Sequence, residues 1–287
     1  MIIWRKITRI KILFLVIKLI RYMAGTNIFN IILDFIERYV LHTSYKEDQD
    51  FFEEHADRVE NIINIFSDER SKSIYKKVWM YRITHKRMYL KKIVDRKQYF
   101  DKDLIKFIDN EFYVDCGAYK GDTILKFIKY NNNNNFKIVA FEPDPYNFKI
   151  LESTVKRNHA KNKIKVYNLG TWSYKKKLKF LSNTEEACKI TANGDSEIDV
   201  DTIDNIVGDN KVTFIKMDVE GAEMNSLLGA CETIEKYHPR LAISIYHSNE
   251  DMINIAEYLH KHYPFYNLYV RHYSYFYGDT VLYAIGE

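Results

Sequence analysis

The chain has 287 residues, a formal net charge of +4 and three cysteines. That length suits one large domain or a domain with an appendage, and it buries enough apolar surface to need no disulfide staple. So mild a charge gives no ground for a nucleic-acid partner, and Cys116, Cys188 and Cys231 match no metal spacing, so they read as reduced thiols in a cytoplasmic setting.

The positive charge is unevenly placed. Within the first 21 residues stand Arg5, Lys6, Arg9, Lys11, Lys18 and Arg21 and no acid. The longest strictly apolar run there, residues 12–17, falls far short of the roughly 20 that cross a bilayer, and Ala24-Gly25 is the nearest approach to a leader cleavage site. Residues 1–24 therefore read as a basic apolar arm with two uses open. One is an interfacial helix drawn to anionic lipid at the inner membrane face; the other is an arm packed on the body or on a second subunit. The arm belongs to a helical N-terminal segment, residues 1–100. Apolar residues at helical spacing mark 27–41, 48–66 and 68–81, with no period-2 strand and no catalytic constellation, so their stripes read as packing faces.

From residue 101 to 287 the period changes and a second domain is expected. Residues 112–123 read F-Y-V-D-C-G-A-Y-K-G-D-T. The large β-prone residues 112–114 predict a buried parallel strand with Asp115 at its carboxyl end. Gly117 and Gly121 bracket a tight turn, and Asp122 and Thr123 open a helix through Ile124, Leu125, Phe127 and Ile128. Strand, glycine turn and helix let backbone amides approach a ligand closely. The spacing D-x-G-x-x-x-G differs from the G-x-G-x-x-G of dinucleotide sites and points to S-adenosylmethionine (SAM). Residues 131–135 are five consecutive asparagines, a solvated loop. Residues 137–141, K-I-V-A-F, form a second strand closed by Glu142, with Pro143 stopping the ladder. A carboxylate at a neighbouring strand end can accept both ribose hydroxyls of a nucleoside, so Glu142 is the candidate ribose ligand.

A helix over 144–158 and a strand over 163–168 follow, the latter ending in Leu169-Gly170. Residues 172–182 suggest a hairpin with Lys175–Lys177 at its turn, and Asn193-Gly194 signals another turn before a helix returns over 201–207. The fourth strand, 212–217, runs into M-D-V-E-G-A-E, residues 217–223. If the strand continued through them, alternation would put Asp218 and Glu220 on one side as a carboxylate pair. Gly221 permits a turn, and Glu223 suits a helix N-terminus. A strand over 241–246 leads to His247, a helix covers 251–262, and strands over 266–273 and 280–285 form a terminal antiparallel hairpin. The pattern implies an open, mostly parallel α/β sheet.

Five stretches together resemble the FkbM-type family of SAM-dependent methyltransferases. They are V-D-C-G-A-Y-K-G-D-T (114–123), A-F-E-P-D-P (140–145), I-K-M-D-V-E-G-A-E (215–223), P-R-L-A-I-S-I-Y-H (239–247) and Y-V-R-H-Y (269–273). The resemblance implies a class I methyltransferase (Rossmann-like) fold with a seven-stranded sheet, and O-methylation of a sugar, glycan or related small molecule. It puts Asp115, Gly117 and Gly121 at the methionine end of SAM, with Asp122 and Thr123 beside them. Glu142 and Pro143 fall at the ribose, Gly170 near the adenine, and Asp218 closest to the reacting methyl. Residues 1–100 lie outside it.

Aligning a hydroxyl with the methyl carbon and taking up its proton is the protein's main task in such a reaction. The candidates for that base are Asp218, Glu220 and His247, with His247 preferred because an imidazole titrates near neutral pH. The same three could instead hold a divalent cation such as magnesium or calcium; no metal is assigned. Arg271 and His272 read as structural residues of the hairpin. Two other classes stay open: an NAD-dependent oxidoreductase, disfavoured by the glycine spacing, and a non-catalytic SAM-binding scaffold, disfavoured by the full set of strand-end acids.

Overall fold

The computed structural model describes residues 44–181, 189–190, 194, 196–276 and 278–286. The basic arm and the helix expected over 27–41 lie outside the described residues. The chain divides into two compact units, Met1–Asp50 and Phe51–Glu287. No helix among the described residues is long and apolar enough to cross a membrane.

Helices form at Ser44–Glu54, Ala56–Ile65 and Glu69–Thr84, close to the periodicity of the sequence. The third starts where it does because the Asp68 carboxylate accepts the Ser71 N–H at 2.6 Å, an N-cap. Among the described residues eleven strands follow in chain order: β1 Glu111–Cys116, β2 Phe136–Phe141, β3 Ile164–Tyr167, β4 Gly170–Thr171, β5 Lys176–Leu181, β6 Lys189–Ile190, β7 Ser196–Asp201, β8 Phe214–Met217, β9 Arg240–Ser244, β10 Tyr266–His272 and β11 Thr280–Gly286. Seven of them make one sheet in the order β10-β11-β9-β8-β1-β2-β3. Its five central and distal strands run parallel, and β11 enters antiparallel to both β9 and β10. This is the fold expected.

Strand β1 is buried at every position, as a central parallel strand covered on both faces must be. Alternate residues serve two separate cores. Phe112, Val114 and Cys116 face a cluster shared with Val59, Ile62, Tyr75 and Val78 of the N-terminal helices. Tyr113 faces the other, where its ring stacks on Phe127 and Phe214 at centroid distances of 4.8 and 5.2 Å. The helices over Phe51–Thr84 thus sit in the same compact unit as the sheet and cover one of its faces.

Two local expectations change. Residues 172–182 do not close a hairpin on themselves: β5 takes up Lys176 and Lys177, and it pairs antiparallel with β6 and β7 in a second, four-stranded sheet. The alternating Lys176, Leu178 and Phe180 side of β5 needs apolar partners, which Ile198 and Val200 of β7 supply. And β8 stops at Met217, so Asp218 and Glu220 are not alternate residues of a strand. Glu220 has φ +54° and Gly221 φ +93°, a left-handed turn that ends the ladder.

Candidate active site

Five parallel strands end in lateral register. Tyr167 pairs with Phe141, Phe141 with Cys116, Cys116 with Met217, and Met217 with Ile243. The next residue on β2 is Glu142, on β1 Gly117 and on β8 Asp218. These three therefore stand side by side at the carboxyl edge, where open α/β sheets bind ligands. A cleft opens there, lined among others by Gly117, Thr123, Glu142, Gly170 and Asp218. Asp122 and Pro143 line it too, whereas Asp115 lies beneath its floor with no exposed surface.

The floor is held by charge. Asp115 pairs in register with Lys216 across β1 and β8, and the ammonium lies 3.0 Å from the carboxylate with both side chains buried. Lys216 also donates to the Gly117 carbonyl at 2.7 Å, and the Thr123 hydroxyl donates to Asp115. Burial pushes the Asp115 carboxyl up, against the pull of Lys216. For Lys216 burial works downward, but Asp115 and Asp218 outweigh it and keep the amine charged. The turn is tied at both ends. Gly117 has φ +76°, and a Cβ there would fall 1.9 Å from the Asp218 carbonyl oxygen, so only glycine lets β1 and β8 exits pass so closely. Gly121, at φ +90°, donates to the Ala118 carbonyl and starts the helix Asp122–Tyr130.

Glu142 is buried, and each of its oxygens accepts one backbone N–H: Oε1 from Asp144 at 3.0 Å and Oε2 from Tyr119 at 2.8 Å. Burial pushes the carboxyl up to about 7 despite those donors. An ionised carboxylate has about four acceptor positions, so two directions remain for hydroxyl donors. That pair of free acceptor directions fits a ribose diol, and Glu142 and Gly170 line the same cleft.

Beyond Gly117 the cleft becomes acidic and phenolic. Tyr99 donates its hydroxyl to Asp218 Oδ2 at 2.8 Å, and Tyr246 donates to Oδ1 at 3.0 Å. Burial pushes Asp218 up, but Lys216, His247 and the hydroxyl donors prevail and hold it below the usual carboxylate range. His247 Nε2 lies 3.6 Å from Asp218 and 3.5 Å from Glu220, and Nδ1 lies 2.8 Å from Glu223. The Glu223 contact has hydrogen-bond distance without hydrogen-bond angle, so it is an ion pair. Burial lowers the imidazole, yet the three carboxylates carry it up to about 9. His247 is thus cationic at neutral pH, not poised there as its type alone suggests. Asp218, Glu223 and His247 present atoms within 4.8 Å of one another, so Glu223 joins the cluster in the place expected for Glu220. The proton on His247 already balances this group of acids. Glu223 also accepts the Val219 and Gly221 N–H groups, which fixes the turn. Glu220 is pushed up to about 7, mainly by burial of its carboxyl, although 45% of the side chain remains exposed.

Arg271 and His272 are remote from this chemistry. Arg271 is buried against Asp68 at 3.0 Å and Ser71 at 2.8 Å, and His272 meets Thr280 at 2.9 Å. Sequence reasoning missed Lys216, Gln98, Tyr99, Tyr246 and Asp279. Only Lys216 left a signal: a cation inside the apolar run F-I-K-M must have a buried partner. Tyr99 and Gln98 sit in a loop whose sequence carries no pattern.

Residues 115–275 match the model of the methyltransferase FkbM domain. Among solved structures, the methyltransferase FkbM from Methylobacillus flagellatus KT is 27% identical with a TM-score of 0.73, covering 82% of this chain and 60% of that one. This chain therefore spans about 60% of that protein's length. A putative caffeoyl-CoA O-methyltransferase from Staphylococcus aureus is 13% identical over 62% of this chain and 76% of its own, at a TM-score of 0.41. Fibrillarin from Aeropyrum pernix, solved with natively bound S-adenosyl-L-methionine, is 11% identical over 64% of this chain and 71% of its own, at a TM-score of 0.41. No curated protein matches the chain.

Proposed function

The chain belongs to the FkbM family of SAM-dependent methyltransferases, and from that premise we propose that it transfers the methyl group to a hydroxyl of a sugar, glycan or related polyol. When bound, SAM supplies a methyl carbon made electrophilic by its sulfonium. In this reading Glu142 accepts the ribose hydroxyls, Gly170 flanks the adenine, and Asp115, Gly117, Gly121, Asp122 and Thr123 shape the methionine end. Asp218 and Glu220 face the acceptor.

The observation that carries the acceptor class is the makeup of this far wall. Gln98, Tyr99, Asp218, Glu220 and Asp279 line it with carboxamide, phenol and carboxyl groups. The three carboxyl groups can accept hydrogen bonds from several hydroxyls at once, as a polyol requires, while the carboxamide and phenol hold two of them in place. Glu220 is the general base. Its carboxyl, pushed up to about 7, is basic enough to take the hydroxyl proton and still ionised over much of the working range. Asp218, held low, is the weaker base and orients the hydroxyl. His247, cationic beside both, stabilises their ionised forms instead of acting as base.

Labelled SAM incubated with a panel of methyl glycosides, nucleotide sugars and glycans tests the reading. Label on a carbohydrate is expected; label on protein or RNA alone would reject the substrate class. With an acceptor found, kcat should rise with pH through about 7, and Glu220→Gln should lower it about 10²- to 10³-fold with the acid limb gone.

A further inference from the structure

We propose that Tyr99, held by Gln98 in the loop ahead of β1, is a positioning residue that fixes the Asp218 carboxylate against the acceptor. This rests on the acceptor reading above. Neither residue falls within the stretch that matches the family, which begins at Asp115.

The loop is built to reach the site. Val94 bridges to His272, and the Asp95 N–H donates to the His272 carbonyl at 2.8 Å, so the segment is fastened to the end of β10. A turn closed by Phe100 N–H on the Lys97 carbonyl then drives Tyr99 inward at φ +67°, leaving it 2% exposed. A bulky residue occupies the left-handed region only where its surroundings impose it. What they impose is a directed chain of hydrogen bonds. Gln98 Nε2 donates to Asp279 Oδ1 at 2.9 Å and to the Tyr99 hydroxyl at 3.0 Å, and that hydroxyl donates to Asp218. Lys216 Nζ lies 5.2 Å from the centroid of the Tyr99 ring and holds the other side. Burial and the Asp218 charge keep the phenol protonated, and of its two neighbouring oxygens the carboxylate is the nearer acceptor, at 2.8 Å against 3.3 Å for the Ser244 hydroxyl.

One donor would leave a carboxylate free to rotate about its Cβ–Cγ bond. Two donors, on different oxygens and from different elements, fix its plane. Tyr246, following β9, supplies the second. The loop and the β10–β11 connection, which carries Asp279, thus set the acceptor's position from outside the family-matched residues, while the glycine turn and Glu142 serve the cofactor.

The test is Tyr99→Phe, which keeps the ring, with Gln98→Ala as a second variant at a partly exposed position. On the carbohydrate panel, loss of a hydrogen bond to a charged group should lower kcat about 10- to 100-fold, while S-adenosylhomocysteine affinity by calorimetry stays within about twofold. Tyr273→Phe, whose hydroxyl pairs with Tyr283 away from the cleft, should leave kcat unchanged. Unchanged kcat in Tyr99→Phe, or cofactor affinity falling in step with it, would overturn the proposal. If Tyr99→Phe melts early, Gln98→Ala decides by the same split. Should the unaltered chain label no carbohydrate, the substrate reading falls separately. The positioning role is then read by proton NMR of the S-adenosylhomocysteine complex. Two slowly exchanging phenol protons, both displaced in Asp218→Asn, support it, and absence of the Tyr99 proton sinks it.

Discussion

Glu142 and His247 show how the same strand-edge environment moves two groups in ways that only pH experiments separate. The Glu142 carboxyl is pushed up to about 7, mainly by burial, so its ionised form is penalised in the folded chain. Stability without ligand should therefore decline as pH rises from about 4.5 to about 7 and then level off. In the proposed reading cofactor binding runs the other way, since ribose hydroxyls would donate to the ionised form. Affinity for S-adenosylhomocysteine should rise with pH up to about 7, and Glu142→Gln should flatten that slope and weaken binding about 10- to 100-fold at pH 8. Calorimetry across the range checks both. For His247 the shift up to about 9 favours the charged form in the fold. Its contribution is complete below about 6.5 and is lost as pH passes about 9. The melting temperature should fall across that interval in the natural chain and not in His247→Gln; an identical slope in both would show that the carboxylates do not act through this imidazole.

At the scale of elements, the site is the consequence of five strands stopping together. Gly117 is the point where two of the exits cross most closely, and Gly117→Ala brings a methyl within 1.9 Å of the Asp218 carbonyl oxygen at φ +76°. Strain and displacement together should cost about 3 kcal/mol or more, lowering the melting temperature by several degrees and abolishing cofactor binding. A variant that binds S-adenosylhomocysteine normally would contradict the crossing. This part of the site was readable beforehand because each strand end has a local mark: Asp115 with its glycine, Glu142 with its proline, Asp218 after an apolar run. The parallel sheet was readable for the same reason, its strands being continuous apolar runs. Charge states were not. His247 looked suited to act as a base because residue type carries no information on how many carboxylates surround it, and Glu223 comes close only through the left-handed turn at Glu220 and Gly221. A hairpin within 172–182 gives way to a second sheet because β5 finds its partners beyond that stretch, from Lys189 for Leu181 to Val200 for Lys176, and pairing at the longer of those separations leaves no local turn signature.

For the whole molecule, the question is how much chain the fold requires. The family-matched stretch starts at Asp115, and the sequence pattern alone suggests a boundary near residue 100. Packing argues for an earlier one. Val59, Ile62, Tyr75, Val78 and Tyr81 are buried in the core that β1, β8 and β10 share. The Tyr75 hydroxyl donates to the Met252 carbonyl at 2.8 Å, and Ser71 Oγ accepts from both the Val270 N–H and the Arg271 guanidinium. Cutting at residue 101 would strip one sheet face of its cover and remove both Asp68 and Ser71 from Arg271, which is only 2% exposed. Asp101 would stay within 3.6 Å of that guanidinium, so the larger loss is apolar: each uncovered large side chain costs about 1.5–3 kcal/mol, against a total stability of about 5–15 kcal/mol. A chain of residues 101–287 should therefore not fold, whereas residues 44–287 should melt cooperatively and bind S-adenosylhomocysteine with the affinity of the full chain. Circular dichroism melts and calorimetry on the two shortened chains check this. A cooperative melt from residues 101–287 would show that the helices over Phe51–Thr84 are an accessory to the sheet and not its missing layer.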